Sequence, residues 1–271
     1  MLSHFVQRVC ACSLIAGTGL LVAAPAPLPG ELTTEQIVQR ALARAQWVQE
    51  LKGQTNYSYQ KSTVVEELDD KGRVKNSKEK LLQVESGVST LKELKKNGKV
   101  VPLPPQREAE AEATADRQQV TKGPRTRRDD NWSAYLNKEL TARYTFELVG
   151  REEVAGRPAY VLTFQPKSDK LPVKQITDRL LNRLGGKVWV DTSEFEIAKA
   201  EIDLLDEVTM WGGVLGAMKK FTFDIERTRV DDVWFNRVSN FEMEGRKLLD
   251  GTRIRVKSEA SNFRKSATFT N

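Results

Sequence analysis

Three side chains able to act as nucleophile, general base or soft metal ligand, His4, Cys10 and Cys12, lie at the very start of the chain, and no other His or Cys follows. They would serve His-dependent triads, thiolate attack, zinc ligation or a disulfide. The segment holding them reads as an export signal: one cation, Arg8, then an apolar stretch from Val9 to Ala24 with small residues at its end, and a Pro-rich exit from Pro25 to Gly30. Without it the protein has neither imidazole nor thiol. What remains is acidic: Glu66 with Glu67, Asp69 with Asp70, Glu152 with Glu153, and Asp231 with Asp232. Glycoside hydrolysis needs two carboxyl groups facing each other across a substrate. Adjacent residues on a strand point to opposite faces, so these pairs read as solvated surface. None has the alternating acidic spacing of an EF-hand loop. The expectation is a non-enzymatic protein with no catalytic residue, no metal and no cofactor.

The apolar stretch is shorter than the roughly 20 residues a spanning helix needs, so residues 1–26 are expected to be removed, after Ala23 or Ala26, to leave a soluble periplasmic protein. Removing Arg8 from 43 basic residues leaves 42 against 37 acidic ones. That mildly basic balance suits anionic headgroups at a membrane surface better than nucleic acid, which an exported protein rarely meets. The cluster Arg125, Arg127 and Arg128 offers the same contact, but Asp129 and Asp130 follow at once.

These residues need a scaffold, and hydrophobic periodicity supplies one. Thr33 and Gln36 have capping-box spacing, and Ile37, Ala41, Leu42, Ala45 and Val48 recur at helical intervals until Gly53. From Tyr57 the period becomes two: Tyr57 to Leu68, Val74 to Val84, and Val88 to Lys95 read as a meander. Pro102, Pro104 and Pro105 end it. Residues 102–131 are expected to form a flexible insertion, with Gln106 to Gln119, which lacks an apolar stripe, as solvent-exposed helix or disorder. A short helix is expected near Trp132 to Leu140. Extended segments resume at Tyr144 to Val154 and Ala159 to Pro166, where Tyr160, Leu162 and Phe164 share a face. A helix from Val173 to Leu184, with Ile176 and Leu180 in its stripe, is expected to end at Gly185-Gly186. Five more extended segments follow: Lys187 to Asp191, Ile197 to Leu205, Phe221 to Val230, Val233 to Gly245 and Thr252 to Phe263. In the last, Ile254, Val256 and Ser258 alternate with Arg253, Arg255 and Lys257.

The pattern predicts a mainly β, α+β domain over 31–265: a curled antiparallel sheet or half-barrel of about ten strands, covered by two or three amphipathic helices. Between sheet and helices the apolar residues either fill a core or line a trough for acyl chains. The candidate lining is Ile37 and Leu42 from the first helix, Tyr160, Leu162, Phe164 and Trp189 from the sheet, and Ile176 and Leu180 from the later helix. Trp211, Leu215 and Met218 join them from the glycine-rich connection Trp211 to Met218, read as a gate or as a loop folded onto the core.

The run Gly150-Arg151-Glu152-Glu153-Val154-Ala155-Gly156-Arg157-Pro158-Ala159-Tyr160, the later Pro166-Lys167, and Lys187-Val188-Trp189-Val190-Asp191 resemble the central hairpin and following strand of the LolA/LolB lipoprotein-carrier superfamily. They are most similar to its RseB/MucB-like branch and to outer-membrane-lipoprotein-sorting-like proteins. The likeness covers 31–265 in layout and 140–205 in recognisable residues. It implies a half-barrel whose hydrophobic interior receives acyl chains of lipids or lipoproteins. The insertion at 102–131, and the absence of a second domain like that of the RseB/MucB regulators, depart from the pattern. Lipid or lipoprotein trafficking in the envelope is the expected role; the alternative is a periplasmic protein-interaction or envelope-sensing module with a filled core and an envelope protein partner.

Overall fold

A computed structural model describes residues 31–50, 56–120, 136–167, 171–174, 176–210, 216–247 and 250–266. The expected export signal, the Arg125 cluster, Trp211 and Leu215 lie outside the described residues. Thr33–Asn271 form one compact unit; of the other, Met1–Leu32, only Glu31 and Leu32 are described.

Helix α1 (Thr34–Glu50) starts where the capping box places it. The Thr33 amide donates to Gln36 Oε1 at 2.9 Å and the Gln36 amide to Thr33 Oγ1 at 3.3 Å, so two amides that the helix leaves orphaned are satisfied reciprocally. Its buried stripe is Ile37, Ala41, Leu42 and Ala45. Strands β1 (Tyr57–Leu68), β2 (Val74–Glu85), β3 (Val88–Lys96) and β4 (Lys99–Val100) form the meander. Helix α2 (Gln106–Val120) and a single turn, α3 (Lys138–Thr141), lead into β5 (Tyr144–Val154) and β6 (Arg157–Pro166). Then come α4 (Ile176–Leu181), β7 (Leu184–Asp191), β8 (Ile197–Leu204), β9 (Val208–Met210), β10 (Gly216–Val230), β11 (Val233–Lys247) and β12 (Asp250–Lys265). The turns Ser86-Gly87, Asn97-Gly98 and Ala155-Gly156 each hold two consecutive positive φ values, 49° and 76° in the last. That is the backbone whose twist matches a tight hairpin.

All pairings are antiparallel and the order is β4-β3-β2-β1-β12-β11-β10-β8-β7-β6-β5, with β9 beside β10. The sheet is not closed, because β4 and β5 each have a neighbour on one side only. The expected mainly β architecture with a few helices is what forms, with twelve strands among the described residues.

Four details differ from expectation. The later helix is six residues, Ile176–Leu181, and Gly185-Gly186 belong to β7. A Cβ on Gly186, whose φ is 152°, would sit 2.0 Å from the Glu201 carbonyl oxygen, so the glycine answers the close approach of β8 and does not cap a helix. Gly216 to Met218, expected in a connection, open β10. Two short strands, β4 and β9, were not anticipated. Finally, α2 is not exposed all round: Ala113 is buried against Leu82, Leu91 and Leu94, with Ala109 beside it. Alanine leaves too faint a stripe to reveal such a docked face.

Candidate functional site: one apolar sheet face

Residues paired across antiparallel strands point to the same side, so the register sorts the sheet into faces. One rung reads Phe146, Phe164, Gly186, Ile202, Phe223, Phe241, Val256, Val65, Lys78, Lys96 from β5 to β3. The next rung on that face reads Leu148, Leu162, Val188, Ala200, Ile225, Ser239, Ser258, Thr63, Lys80, Leu94. On the opposite face the intervening rung is Glu147, Thr163, Lys187, Glu201, Asp224, Asn240, Lys257, Val64, Glu79, Lys95. The first rung is apolar from β5 to β1, and the second from β5 to β10, where Ser239, Ser258 and Thr63 take over. The intervening rung on the opposite face is mostly charged, though Val161 and Trp189 of that face belong to a buried apolar cluster. Crowding by Glu201 and Asp203 on the charged side, after burial itself, pushes the Asp224 carboxyl above its ordinary range.

Helices meet the apolar face at both ends. At the β5 end, Tyr144, two residues before Phe146, donates its hydroxyl to the Leu181 carbonyl of α4 at 2.6 Å. Burial raises that phenol to about 12, which keeps it a neutral donor. Arg143 fixes α4 further, donating to Asp178 Oδ1 at 2.8 Å and Asn182 Oδ1 at 2.7 Å. Helix α1 approaches through Phe195, which stacks on Tyr160 at 6.4 Å and carries the Arg40 guanidinium at 5.0 Å. At the other end α2 covers Leu82, Leu91 and Leu94. Between them, on β10, β11 and β12, Phe221, Phe241, Met243, Ile254 and Val256 are only half-buried.

A buried ionic network ties α1 to the β7–β8 turn. Arg227 donates to Glu196 Oε1 at 2.6 Å and to the Ile197 and Trp234 carbonyls, while Arg44 of α1 reaches Glu196 Oε2 at 3.0 Å and Glu194 at 3.4 Å. Arg157 grips Asp191 with two nitrogens, at 2.7 and 3.0 Å. Burial works to raise the Asp191 carboxyl, but Arg157 and the Ser193 and Glu194 amides outweigh it and hold it below the ordinary 3.8. The crevice here, lined by Ala41, Ala45, Phe195, Ile197, Arg44 and Arg227, is too narrow to admit a water molecule.

Of the candidate lining, Leu162 and Phe164 lie on the two apolar rungs, and Tyr160 shares their face; all three are buried. Ile37 and Leu42 are buried within α1. Trp189 is on the other side: it pairs with Val161 and Lys199, donates Nε1 to Glu152 at 2.8 Å and carries Lys199 Nζ 4.3 Å from its ring. Met218 pairs with Gly245 and Val208, and Leu180 is half-buried in α4. The side chain of Ile176, like Trp211 and Leu215, is outside the described residues. The acidic pairs do not converge: Glu66 meets Arg255, Asp69 meets Arg73, Glu152 meets Trp189 and Asp231 meets Tyr57. Sequence reasoning missed Lys80, which is 2% exposed. Its phase with Leu82 and Val84 was the available signal.

No family model matches the sequence, and no curated protein matches it. Solved structures similar to this chain include a LolA superfamily protein from Nitrosomonas europaea, 13% identical over 89% of this chain and 96% of that one, with a TM-score of 0.28. Lipoprotein LppX from Mycobacterium tuberculosis is 10% identical over 88% and 100%, with a TM-score of 0.30. The MucA/MucB complex of Pseudomonas aeruginosa contributes a chain 14% identical over 83% and 100%, with a TM-score of 0.22. The superfamily and branch expected from residues 140–205 are thus among the matches. Among the described residues, no helix is long and apolar enough to cross a membrane.

Proposed function

We propose that this is an exported, periplasmic, non-enzymatic protein that binds lipid, or the acyl chains of lipoproteins, along the apolar sheet face, in lipid or lipoprotein trafficking. One observation carries the reading: on β10 to β12 the two neighbouring registers Phe221–Met243–Ile254 and Phe223–Phe241–Val256 are apolar, and all of these but Phe223 are only half-buried although helices cover both ends of the face. Large apolar rings left partly open on one side of a sheet mark a surface for an apolar occupant. Phe221, Phe241 and Met243 offer that surface. The test is to purify the exported protein without detergent, extract it with organic solvent and look for acyl species by mass spectrometry, alongside uptake of a fluorescent fatty acid. Co-purifying acyl chains or saturable uptake is the expected result; neither appearing defeats the reading. The tight crevice under α1 favours a second reading, an envelope protein-interaction module with a filled core. Under it the fatty acid does not bind at all.

A further inference from the structure

The apolar rungs end in cations. Passing from β12 to β2, the side chains change from Val256 and Ser258, through Val65 and Thr63, to Lys78 and Lys80. Thr63 Oγ1 and Ser258 Oγ are 3.1 Å apart, so the last polar step before the lysines is a hydroxyl pair. Lys80 is almost wholly buried beside Leu82, Leu91 and Leu94, and its ammonium is met from α2: Nζ is 2.8 Å from Glu112 Oε1 and 3.1 Å from the Glu112 carbonyl oxygen. Lys78 Nζ shares the same carboxylate oxygen at 2.9 Å. A buried ammonium demands an anionic or carbonyl partner, and here the partner arrives on a helix. Among the described side chains of α2, Ala113 alone is buried. Prolines 102, 104 and 105 set the helix apart from the meander.

We infer that Lys78 and Lys80 seat the anionic head of a lipid whose chain lies along the Val65, Val256, Phe241, Phe223 rung, and that Glu112 occupies this seat when no ligand is bound. This rests on the acyl-chain reading above and adds to it the polarity and charge of the ligand. Dimensions agree. From β2 to β10 there are four strand spacings, about 19 Å. Half the hydrocarbon thickness of a bilayer, the depth one acyl chain fills, is about 15 Å.

The test uses the full exported protein and three probes of equal chain: oleate, oleyl phosphate and oleyl alcohol, with acetate and inorganic phosphate as heads without a chain. Both acids bind at least about 10-fold tighter than the alcohol, because only a charged head can take the place of the Glu112 carboxylate on the two ammonium groups. Glu112→Gln, which removes the resident anion, tightens both acids and leaves the alcohol unchanged. Lys80→Met and Lys78→Met bring the acids down to the alcohol. Should Lys80→Met fail to fold by circular dichroism, Glu112→Gln and Lys78→Met decide, since the Lys78 side chain is 37% exposed. The inference is overturned if the alcohol binds as tightly as the acids and Glu112→Gln moves neither, or if acetate or phosphate alone binds as well as the long-chain acids. Equal binding of all three long chains leaves acyl binding standing and removes only the head-group seat. Failure of all three to bind removes both.

Discussion

Replacing Arg227 by Met tests whether the ionic network holds α1 on the sheet. Arg227 and Glu196 are each 3% exposed and their closest atoms are 2.6 Å apart. Deleting the guanidinium strips a donor from the Ile197 and Trp234 carbonyls and leaves Glu196 to Arg44 alone. Removing one partner of a buried pair costs about 3–5 kcal/mol. Because Arg44 stays 3.0 Å from Glu196, the carboxylate is not abandoned, and the lower end, about 3 kcal/mol, is expected. At roughly 2–4 °C per kcal/mol for a domain of this size, the melting temperature falls by about 6–12 °C. Arg255→Met is the control: its pair with Glu66 is 3.2 Å long with side chains 33% and 22% exposed, and such pairs are worth at most about 1 kcal/mol. Calorimetry on both variants and the parent decides. A melting temperature for Arg227→Met no lower than that of Arg255→Met refutes the claim that this network is a buried anchor.

Three further outcomes are expected. Phe241→Asn lowers fatty-acid affinity by about 10- to 100-fold, the value of burying one large ring, while Asn240→Ala on the opposite face leaves it unchanged; equal effects on titration with a fluorescent fatty acid would place the ligand elsewhere. Asp191 has a depressed folded-state pKa, so its stabilisation is complete above 3.8 and is lost as pH falls through the folded value. Asp191→Asn is therefore less stable than the parent at pH 7 and loses less on going from about pH 4 to 2, as urea melts at each pH should record. Gly186→Ala drives a Cβ to within 2.0 Å of the Glu201 carbonyl and costs more than about 3 kcal/mol, whereas Gly156→Ala, with φ of 76° and nothing within 4 Å, costs about 1–2 kcal/mol. Similar losses in chemical denaturation would show that backbone conformation, not space, fixes Gly186.

The parts of this fold legible from sequence are those whose signals are local. The Thr33/Gln36 box, the X-Gly turns and the alternation of Ile254, Val256 and Ser258 each act within a few residues, and each element forms as read. The apolar face was legible as a character of single strands, but its continuity depends on registers between strands that no local window contains. Gly185-Gly186 misled because a glycine doublet both ends helices and admits a close neighbouring strand; only Glu201, across the ladder, chooses between them. Arg44 and Glu196 are 152 positions apart, so their pairing was invisible. Lys80 reads as a solvated strand residue until Glu112 is brought over it.

An open sheet has two margins, and each is a place where backbone from another molecule can add. On β5 the Leu148 amide is already engaged by Thr34 Oγ1 at 3.2 Å. On the far side β4 is two residues long and Lys96 stands opposite Lys99, so a strand adding there meets like charges. A protein that keeps an oily surface partly open thus guards its borders against polymerisation, and its tolerance of crowding depends on a threonine and a few lysines remote from that surface.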